Sequence, residues 1–129
     1  TRRFFARPLA ANPVRAGLPE AADDTEADAL TIDDYLIERP SETVLIRVKG
    51  DSMIDAGILE GDLVVVEKRH DARKGEIVVA IVDNQFTLKR LDLEAGKFVL
   101  KAENIAYPVI RPEGALEIFG VMVGLVRKL

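Results

Sequence analysis

The chain has 129 residues, of which 48% are apolar and 31% are charged, a composition typical of one soluble globular domain. It contains no cysteine and a single histidine, which excludes a disulfide framework, a thiol nucleophile and a thiolate metal site. The formal net charge of −4 disfavours direct binding to DNA, because such binding depends on neutralising phosphates. We therefore expect chemistry without a metal, and no direct contact with DNA.

Targeting signals are also missing from the sequence. The longest apolar run, residues 118–126, is well short of the about 20 residues that a membrane-spanning helix needs. The basic residues at the start of the chain are not followed by the apolar core of a signal peptide. His70 lies in a highly charged run, residues 68–74, that is typical of a solvated loop. We expect a cytoplasmic protein with no membrane contact.

The first 30 residues differ from the rest in composition. They contain Pro8, Pro13 and Pro19, followed by an acidic stretch over residues 20–29. Prolines at this density favour extended backbone, and the acidic stretch has few side chains to bury. We interpret this part as an arm outside the core.

Residues 31–37 are predicted to form a short helix. Thr31 is a good N-cap and is followed three residues later by Asp34, and Pro40 ends the segment.

From residue 42 onward the pattern indicates β-strands. Apolar side chains alternate over residues 44–49, and runs of β-branched residues follow glycine-containing turns. The last strand is expected to bend at a glycine. We predict a mostly-β domain with a curled or closed sheet and one or two short helices. Its strands are expected at residues 44–49, 63–66, 77–82, 86–91, 98–102 and 116–126.

The first candidate for chemistry follows the strand that ends near residue 49. Gly50 permits a sharp turn, and Ser52 then opens what reads as one turn of helix. A serine in this position stands clear of the sheet, with the backbone N–H groups of the turn, which includes Asp51 and Met53, free to receive an oxyanion. The alternative is that Ser52, with Asp55, merely caps a short helix.

The second candidate is Lys89, in the predicted strand over residues 86–91. Period-two alternation places Thr87, Lys89 and Leu91 on one face of that strand. Burial would lower the pKa of the lysine and provide a neutral amine as a general base. The alternative is that Lys89 lies on the solvent-exposed face of an edge strand.

Ser52 and Lys89 are stronger candidates as a pair than either residue is alone. An active serine needs a base, and with no plausible histidine a Ser–Lys pair is the remaining known solution. The segments around both residues also resemble a known family, the LexA/UmuD autopeptidases. The nucleophilic serine of that family falls on Ser52, and its base falls on Lys89. The resemblance covers about residues 40–126 and rests on five blocks in family order, residues 50–58, 60–66, 74–80, 86–91 and 118–123.

The arm adds a candidate substrate. Residues 4–9 and 13–19 resemble the short arm of UmuD-like members, which cleave themselves at a small residue followed by glycine. Here that bond is Ala16–Gly17. The resemblance thus implies an arm over residues 1–16 that is removed, a linker with a short helix over 17–40, and a peptidase domain over 41–129.

The resemblance further implies a role and partners. UmuD-like proteins cleave themselves in the SOS response to DNA damage when stimulated by the RecA filament on single-stranded DNA. The trimmed homodimer then joins a UmuC-type polymerase in error-prone translesion synthesis and mutagenesis. No cofactor is implied.

Three other interpretations remain open. A type I signal peptidase shares Gly-x-Ser-Met and Lys-Arg-Leu, but it would need a membrane anchor and usually has proline where Asp55 stands. The chain could instead be the C-terminal peptidase domain of a LexA-like or phage repressor. It could also be a non-enzymatic β-rich binding module in which Ser52 only caps a helix.

Overall fold

The computed structural model describes residues 6–14, 16–17, 22 and 25–129. The chain divides into two compact units, Thr1–Glu38 and Arg39–Leu129. Among the described residues no helix is long and apolar enough to span a membrane. The three-part division at residues 16 and 40 stays a prediction.

The first unit contains a two-stranded antiparallel sheet. Strand β1 (Arg7–Ala10) pairs with β2 (Glu26–Leu30), with Pro8 opposite Ala29. The arm therefore has secondary structure of its own, which the sequence did not predict. Both strands are edge strands, so the missing N–H of a proline is tolerated. The side chains of β1 are all exposed, which explains why no apolar alternation marked it.

The predicted helix follows β2. Helix α1 (Ile32–Leu36) has Thr31 as its N-cap, and the Thr31 hydroxyl accepts a hydrogen bond from the Asp34 N–H at 3.1 Å. Asp33 and Asp34 lie in its first turn, where a carboxylate is favoured by the helix dipole. The capping prediction is confirmed.

The second unit is built on a six-stranded antiparallel sheet, which confirms the mostly-β prediction. In spatial order its strands run β3-β4-β8-β5-β6-β7. Two short 3₁₀ helices, Pro40–Glu42 and Ile54–Ala56, precede and follow β3. The strands are β3 (Thr43–Arg47), β4 (Leu63–Glu67), β5 (Ile77–Val82), β6 (Gln85–Glu94), β7 (Lys97–Lys101) and β8 (Glu117–Val126).

The sheet is curled but not closed. Three strands separate β3 from β6 in the sheet order, yet Ile46 of β3 and Leu88 of β6 pack against the same buried cluster. Only curling of the sheet brings these strands together. Within the described residues β3 pairs with β4 alone and β7 pairs in the sheet with β6 alone, so the closed alternative is wrong. The two ends of the sheet do not meet.

Apolar side chains cover both faces of the sheet. Alternation along β5 places Val79 in one buried cluster and places Val78 and Ala80 in the other. Such a strand, buried on both faces, reads as a continuous β-branched run, as residues 77–82 do.

Strand β8 is irregular next to its glycines. Its pairing with β5 shifts between Gly120 and Ile118, and its pairing with β4 shifts between Gly124 and Met122. A Cβ at Gly120 would lie 2.6 Å from the backbone oxygen of Glu67. The expected irregularity at a glycine is thus present, and Gly120 is required by a close approach of two backbones.

An ion pair between the buried Asp62 and the Arg127 side chain, which is 38% exposed, ties the residues after β8 to the loop before β4. Asp62 is 2% exposed, and its two carboxylate oxygens each accept a hydrogen bond from Arg127 at 2.7 Å. These bonds, together with one from the Leu59 N–H, lower the pKa of Asp62 to about 2. Arg127 also donates to the Gly57 carbonyl at 2.8 Å, so the loop over residues 57–62 is held against the residues that follow β8.

Candidate active site

Ser52 lies in a turn between β3 and the second 3₁₀ helix. Gly50 has a φ of 85°, the left-handed backbone that permits the sharp turn expected from the sequence. Its N–H donates to the Glu60 carboxylate at 2.8 Å, and the Ile54 N–H donates to the Asp51 carbonyl at 3.2 Å. The backbone on both sides of Ser52 is thereby fixed.

Ser52 does not cap the helix that follows it. The N-cap of that 3₁₀ helix is Met53, with no hydrogen bond from a cap side chain, and the Asp55 N–H donates to the Glu103 carbonyl. The hydroxyl oxygen of Ser52 instead lies 3.2 Å from the Lys89 ammonium nitrogen, Nζ. The helix-cap interpretation of Ser52 is therefore wrong.

Lys89 projects from β6 and is 7% exposed. Its Nζ also contacts the Thr87 hydroxyl at 2.8 Å and the Leu88 carbonyl at 3.2 Å. Strand β6 lies between β5 and β7, so the interpretation of Lys89 as a solvated edge-strand residue is wrong. Desolvation by burial lowers the pKa of Lys89, because removal from water disfavours the ammonium form.

The contact with Thr87 agrees with the face assignment made from the sequence. The Lys89 amine contacts the hydroxyl of Thr87, which lies two residues earlier on the same face of β6. Leu91, two residues further along that face, is 1% exposed. Sequence reasoning treated Thr87 only as a neighbour that could desolvate the lysine. In the structure Thr87 is a hydrogen-bond partner of the amine. The sequence signal was the alternation of side chains along a strand, which puts Thr87 on the same face as Lys89.

A cleft of about 230 Å³ opens beside Ser52 and Lys89. Its walls come from the end of β3 with the chain that follows, and from the first half of β6. The curl of the sheet thus forms the cleft. The residues lining it are Ile46–Gly50, Ser52, Met53, Val64, Val79 and Phe86–Lys89.

The turn offers free backbone donors beside the hydroxyl. Within the described residues the N–H groups of Ser52 and Met53 have no hydrogen-bond acceptor. The Met53 side chain is 2% exposed and belongs to a buried cluster, which anchors the turn to the core. Asp51 points elsewhere, since its carboxylate accepts a hydrogen bond from the Tyr107 hydroxyl. Two N–H groups next to a hydroxyl are suited to stabilising an oxyanion.

Sequence reasoning missed the segment that contacts this turn from outside. Asn104 and Tyr107 lie in the irregular chain between β7 and β8, and both donate hydrogen bonds to Asp51. No periodic pattern marks such residues, because their partners are more than fifty positions away in the sequence.

The predicted cleavage site lies in the first unit. Ala16 and Gly17 are exposed and lie between β1 and β2. Their role as the scissile pair stays a prediction. Among the described residues, no group of three or more His, Cys, Asp or Glu side chains is placed to bind a metal ion.

The chain is similar to proteins of one family over nearly all its length. The family model described as Peptidase S24-like matches residues 8–123. Protein SamA of Salmonella typhimurium is 40% identical over 94% of this chain and 85% of its own length. The LexA repressors of Opitutus terrae and Alcanivorax borkumensis are 45% and 44% identical over 88% of this chain, which spans 58% and 56% of their lengths. On this evidence the chain belongs to the Peptidase S24-like family.

Proposed function

We propose that the protein is a self-cleaving Ser–Lys peptidase in which Ser52 is the nucleophile and Lys89 is its general base. The observation that carries the proposal is the 3.2 Å approach of Lys89 Nζ to the Ser52 hydroxyl, made by a lysine that is 7% exposed. A buried lysine without a carboxylate partner among the residues bonded to it is poised to lose its proton. A neutral amine beside a hydroxyl is the arrangement that an activated serine requires.

The contacts around Nζ suit the neutral amine. A neutral amine has two N–H bonds and one lone pair. The Leu88 carbonyl can only accept, and the Thr87 hydroxyl can accept as well. With both N–H bonds used in this way, the lone pair is left for the Ser52 proton. Thr87 and the Leu88 carbonyl therefore orient the base toward the nucleophile.

The proposed reaction runs through an acyl-enzyme. The Ser52 hydroxyl oxygen attacks the Ala16 carbonyl carbon while its proton passes to Lys89, and the free N–H groups of the turn hold the oxyanion. The C–N bond to Gly17 then breaks, and Lys89 returns the proton to the departing amine. A water molecule then loses a proton to Lys89 and attacks the ester carbonyl carbon. The bond from that carbon to the Ser52 oxygen breaks, Lys89 gives the proton to the Ser52 oxygen, and the new C-terminus at Ala16 is released. Small residues at the bond allow the close backbone approach that the step needs.

The experiment is self-processing of the purified chain at mildly alkaline pH. We expect intact-mass spectrometry to show a fragment beginning at Gly17 for the wild type and none for Ser52→Ala. Asp55→Asn, a change in the 3₁₀ helix that follows the Ser52 turn, touches neither proposed catalytic group, serves as the matched control and is expected to cleave. Persistence of the Ala16–Gly17 cut in Ser52→Ala would remove Ser52 from the role of nucleophile.

For the cellular role we propose the one that UmuD-like proteins have. Support comes from residues 4–9 and 13–19, which resemble the UmuD-like arm. On this proposal the RecA filament on single-stranded DNA stimulates the cut, and the processed homodimer joins a UmuC-type polymerase. Expression from Gly17 onward should then support damage-induced mutagenesis without Ser52, whereas the uncut Ser52→Ala chain should not.

A second candidate role is favoured by the LexA repressors, which match at 45% and 44% identity. In that case the same cut would inactivate a transcriptional repressor. The mutagenesis assay separates the two roles, because a repressor fragment beginning at Gly17 would restore no mutagenesis.

A further inference from the structure

Residues 103–107, here called the brace, lie beyond β7 and contact the turn that carries Ser52. The Asn104 side-chain amide donates to the Asp51 carbonyl at 3.0 Å, and the Tyr107 hydroxyl donates to the Asp51 carboxylate at 2.5 Å. The Asp55 N–H donates to the Glu103 carbonyl at 2.8 Å. The brace thus holds the residue before Ser52 and a residue three positions after it.

The brace is itself fixed to the sheet. The chain that contains it leaves β7 and returns to it, because Leu100 and Ile110 exchange two backbone hydrogen bonds of 2.9 Å. Within the brace, the Ala106 N–H and the Tyr107 N–H both donate to Asn104, to its side-chain and backbone oxygens respectively. The Asn104 amide is therefore oriented by the brace before it meets Asp51.

The brace also reaches the strand that carries Lys89. Arg90, the next residue of β6, donates a hydrogen bond from its guanidinium to the Glu103 carboxylate. A second guanidinium nitrogen of Arg90 donates to the Gly75 carbonyl at 2.6 Å. A single chain of contacts therefore runs from β6 through Glu103 to the backbone around Ser52. It joins the elements that bear the two proposed catalytic groups.

We propose that Tyr107 and Asn104 are positioning residues, which hold the Ser52 turn at its working distance from Lys89 through their hydrogen bonds to Asp51. This inference rests on the proposed function. It extends that function from the two reacting groups to residues that touch neither of them. Since a misplacement of about 1 Å can cost about 100-fold in rate, two hydrogen bonds on the neighbouring residue are enough to matter.

The Tyr107 bond is favoured by its acceptor. The hydrogen bond to Asp51 and the negative charge of that carboxylate raise the pKa of Tyr107. The raised pKa extends to higher pH the range in which the phenol keeps its proton and donates this bond. A hydrogen bond of this kind, from a hydroxyl to an ionised acceptor, is among the stronger ones in proteins.

The test uses Tyr107→Phe in the full chain and two readouts. The first is the rate of self-cleavage. The second is the rate at which a fluorophosphonate labels Ser52, which reports on the nucleophile without involving the arm. We expect both rates to fall about 10-fold, the usual size of the loss of one hydrogen bond to a charged group. The pH at which the rate rises should not move, because Tyr107 does not contact Lys89.

Four further variants separate positioning from general loss of stability. Tyr35→Phe removes the other tyrosine hydroxyl of the chain, in α1, and should leave both rates unchanged. Gly120→Ala forces a clash between β8 and β4, because its Cβ would lie 2.6 Å from the Glu67 backbone oxygen, and it shows what a stability change alone does to labelling. Asp51→Asn keeps an acceptor for Tyr107 and should label faster than Asp51→Ala.

The outcomes are distinct. Labelling of Tyr107→Phe within about twofold of wild type, or a loss no larger than that in an equally destabilised Gly120→Ala, overturns the positioning role while the proposed function stands. A shift in the pH of the rise would assign Tyr107 to the base instead, and also overturns it. If Ser52→Ala still cleaves, both the positioning role and the proposed function fail.

Discussion

Lys89 owes its proposed chemistry to what surrounds its amine. Its three polar contacts are two hydroxyls and a carbonyl, none of which carries a charge that would stabilise the ammonium. Burial is accordingly the cause that lowers its pKa. Lys101 on the neighbouring strand shows the opposite case, since its bond to Asp92 raises its pKa. The pKa values of two lysines in one sheet are thus shifted in opposite directions, one by burial and the other by a carboxylate partner.

The first consequence is a pH dependence of self-cleavage. The free amine is the active form, so the rate should increase as pH rises through the lowered pKa of Lys89 and then level off. Lys89→Arg should be inactive, because a guanidinium does not deprotonate in this range. Rates of fragment release from about pH 6 to about pH 10 measure the effect, with Lys97→Arg as the control for loss of a surface lysine. A flat profile or an active Lys89→Arg chain would exclude Lys89 as the base.

Among the strands, those with buried or half-buried apolar side chains were the ones that the sequence predicted. Strand β5 was predicted at residues 77–82, where it lies, because its β-branched run is buried on both faces. Strand β1 was missed, because its side chains are exposed and it contains Pro8. The brace was missed for another reason. Its hydrogen bonds join distant parts of the chain, and no local pattern encodes a partner that folding alone supplies.

The close approach of β8 to β4 at Gly120 can be tested by mutation. Gly120→Ala would place a Cβ 2.6 Å from the Glu67 backbone oxygen and 2.7 Å from a Val66 methyl group. Backbone cannot move aside as a flexible side chain can, so we expect a loss of about 1–3 kcal/mol in the free energy of unfolding. Gly114→Ala is the matched control, because nothing lies within 4 Å of its new Cβ. Urea unfolding of both variants gives the comparison, and equal stabilities would show that β4 and β8 separate more readily than their register implies.

At the scale of the whole molecule, the proposed enzyme and its proposed substrate belong to different units. Ser52 and Lys89 lie in Arg39–Leu129, whereas Ala16 and Gly17 lie in Thr1–Glu38. The family resemblance, and not any local pattern, led to the scissile bond, since an Ala-Gly pair in an exposed segment has no distinguishing physical feature. For the proposed catalytic pair the sequence also supplied a physical reason, because strand alternation over residues 86–91 placed Thr87 on the same face as Lys89. Ser52 and Lys89 each had an ordinary structural interpretation as well, and the family resemblance decided between the two.

Gly17→Val tests the substrate without altering the enzyme. Attack requires the Ala16 carbonyl carbon within about 3–3.5 Å of the Ser52 oxygen, and a β-branched side chain next to the bond should crowd that approach. No atom lies within 4 Å of a Cβ built at Gly17, so the fold should be unaffected. We expect release of the arm to stop while fluorophosphonate labelling of Ser52 continues at the wild-type rate. Unchanged processing of Gly17→Val would move the cut elsewhere in the arm.

The size of the cleft bears on how this protein could be inhibited. At about 230 Å³ it falls below the range of about 300–1,000 Å³ in which drug-sized ligands are usually enclosed. A compound that relies on contact area alone would therefore have little surface to bury and correspondingly low affinity. A small electrophile aimed at the Ser52 oxygen, the proposed nucleophile, would avoid this restriction, because a covalent bond would replace the missing contacts. Inhibitor discovery should accordingly begin from compact serine-reactive groups.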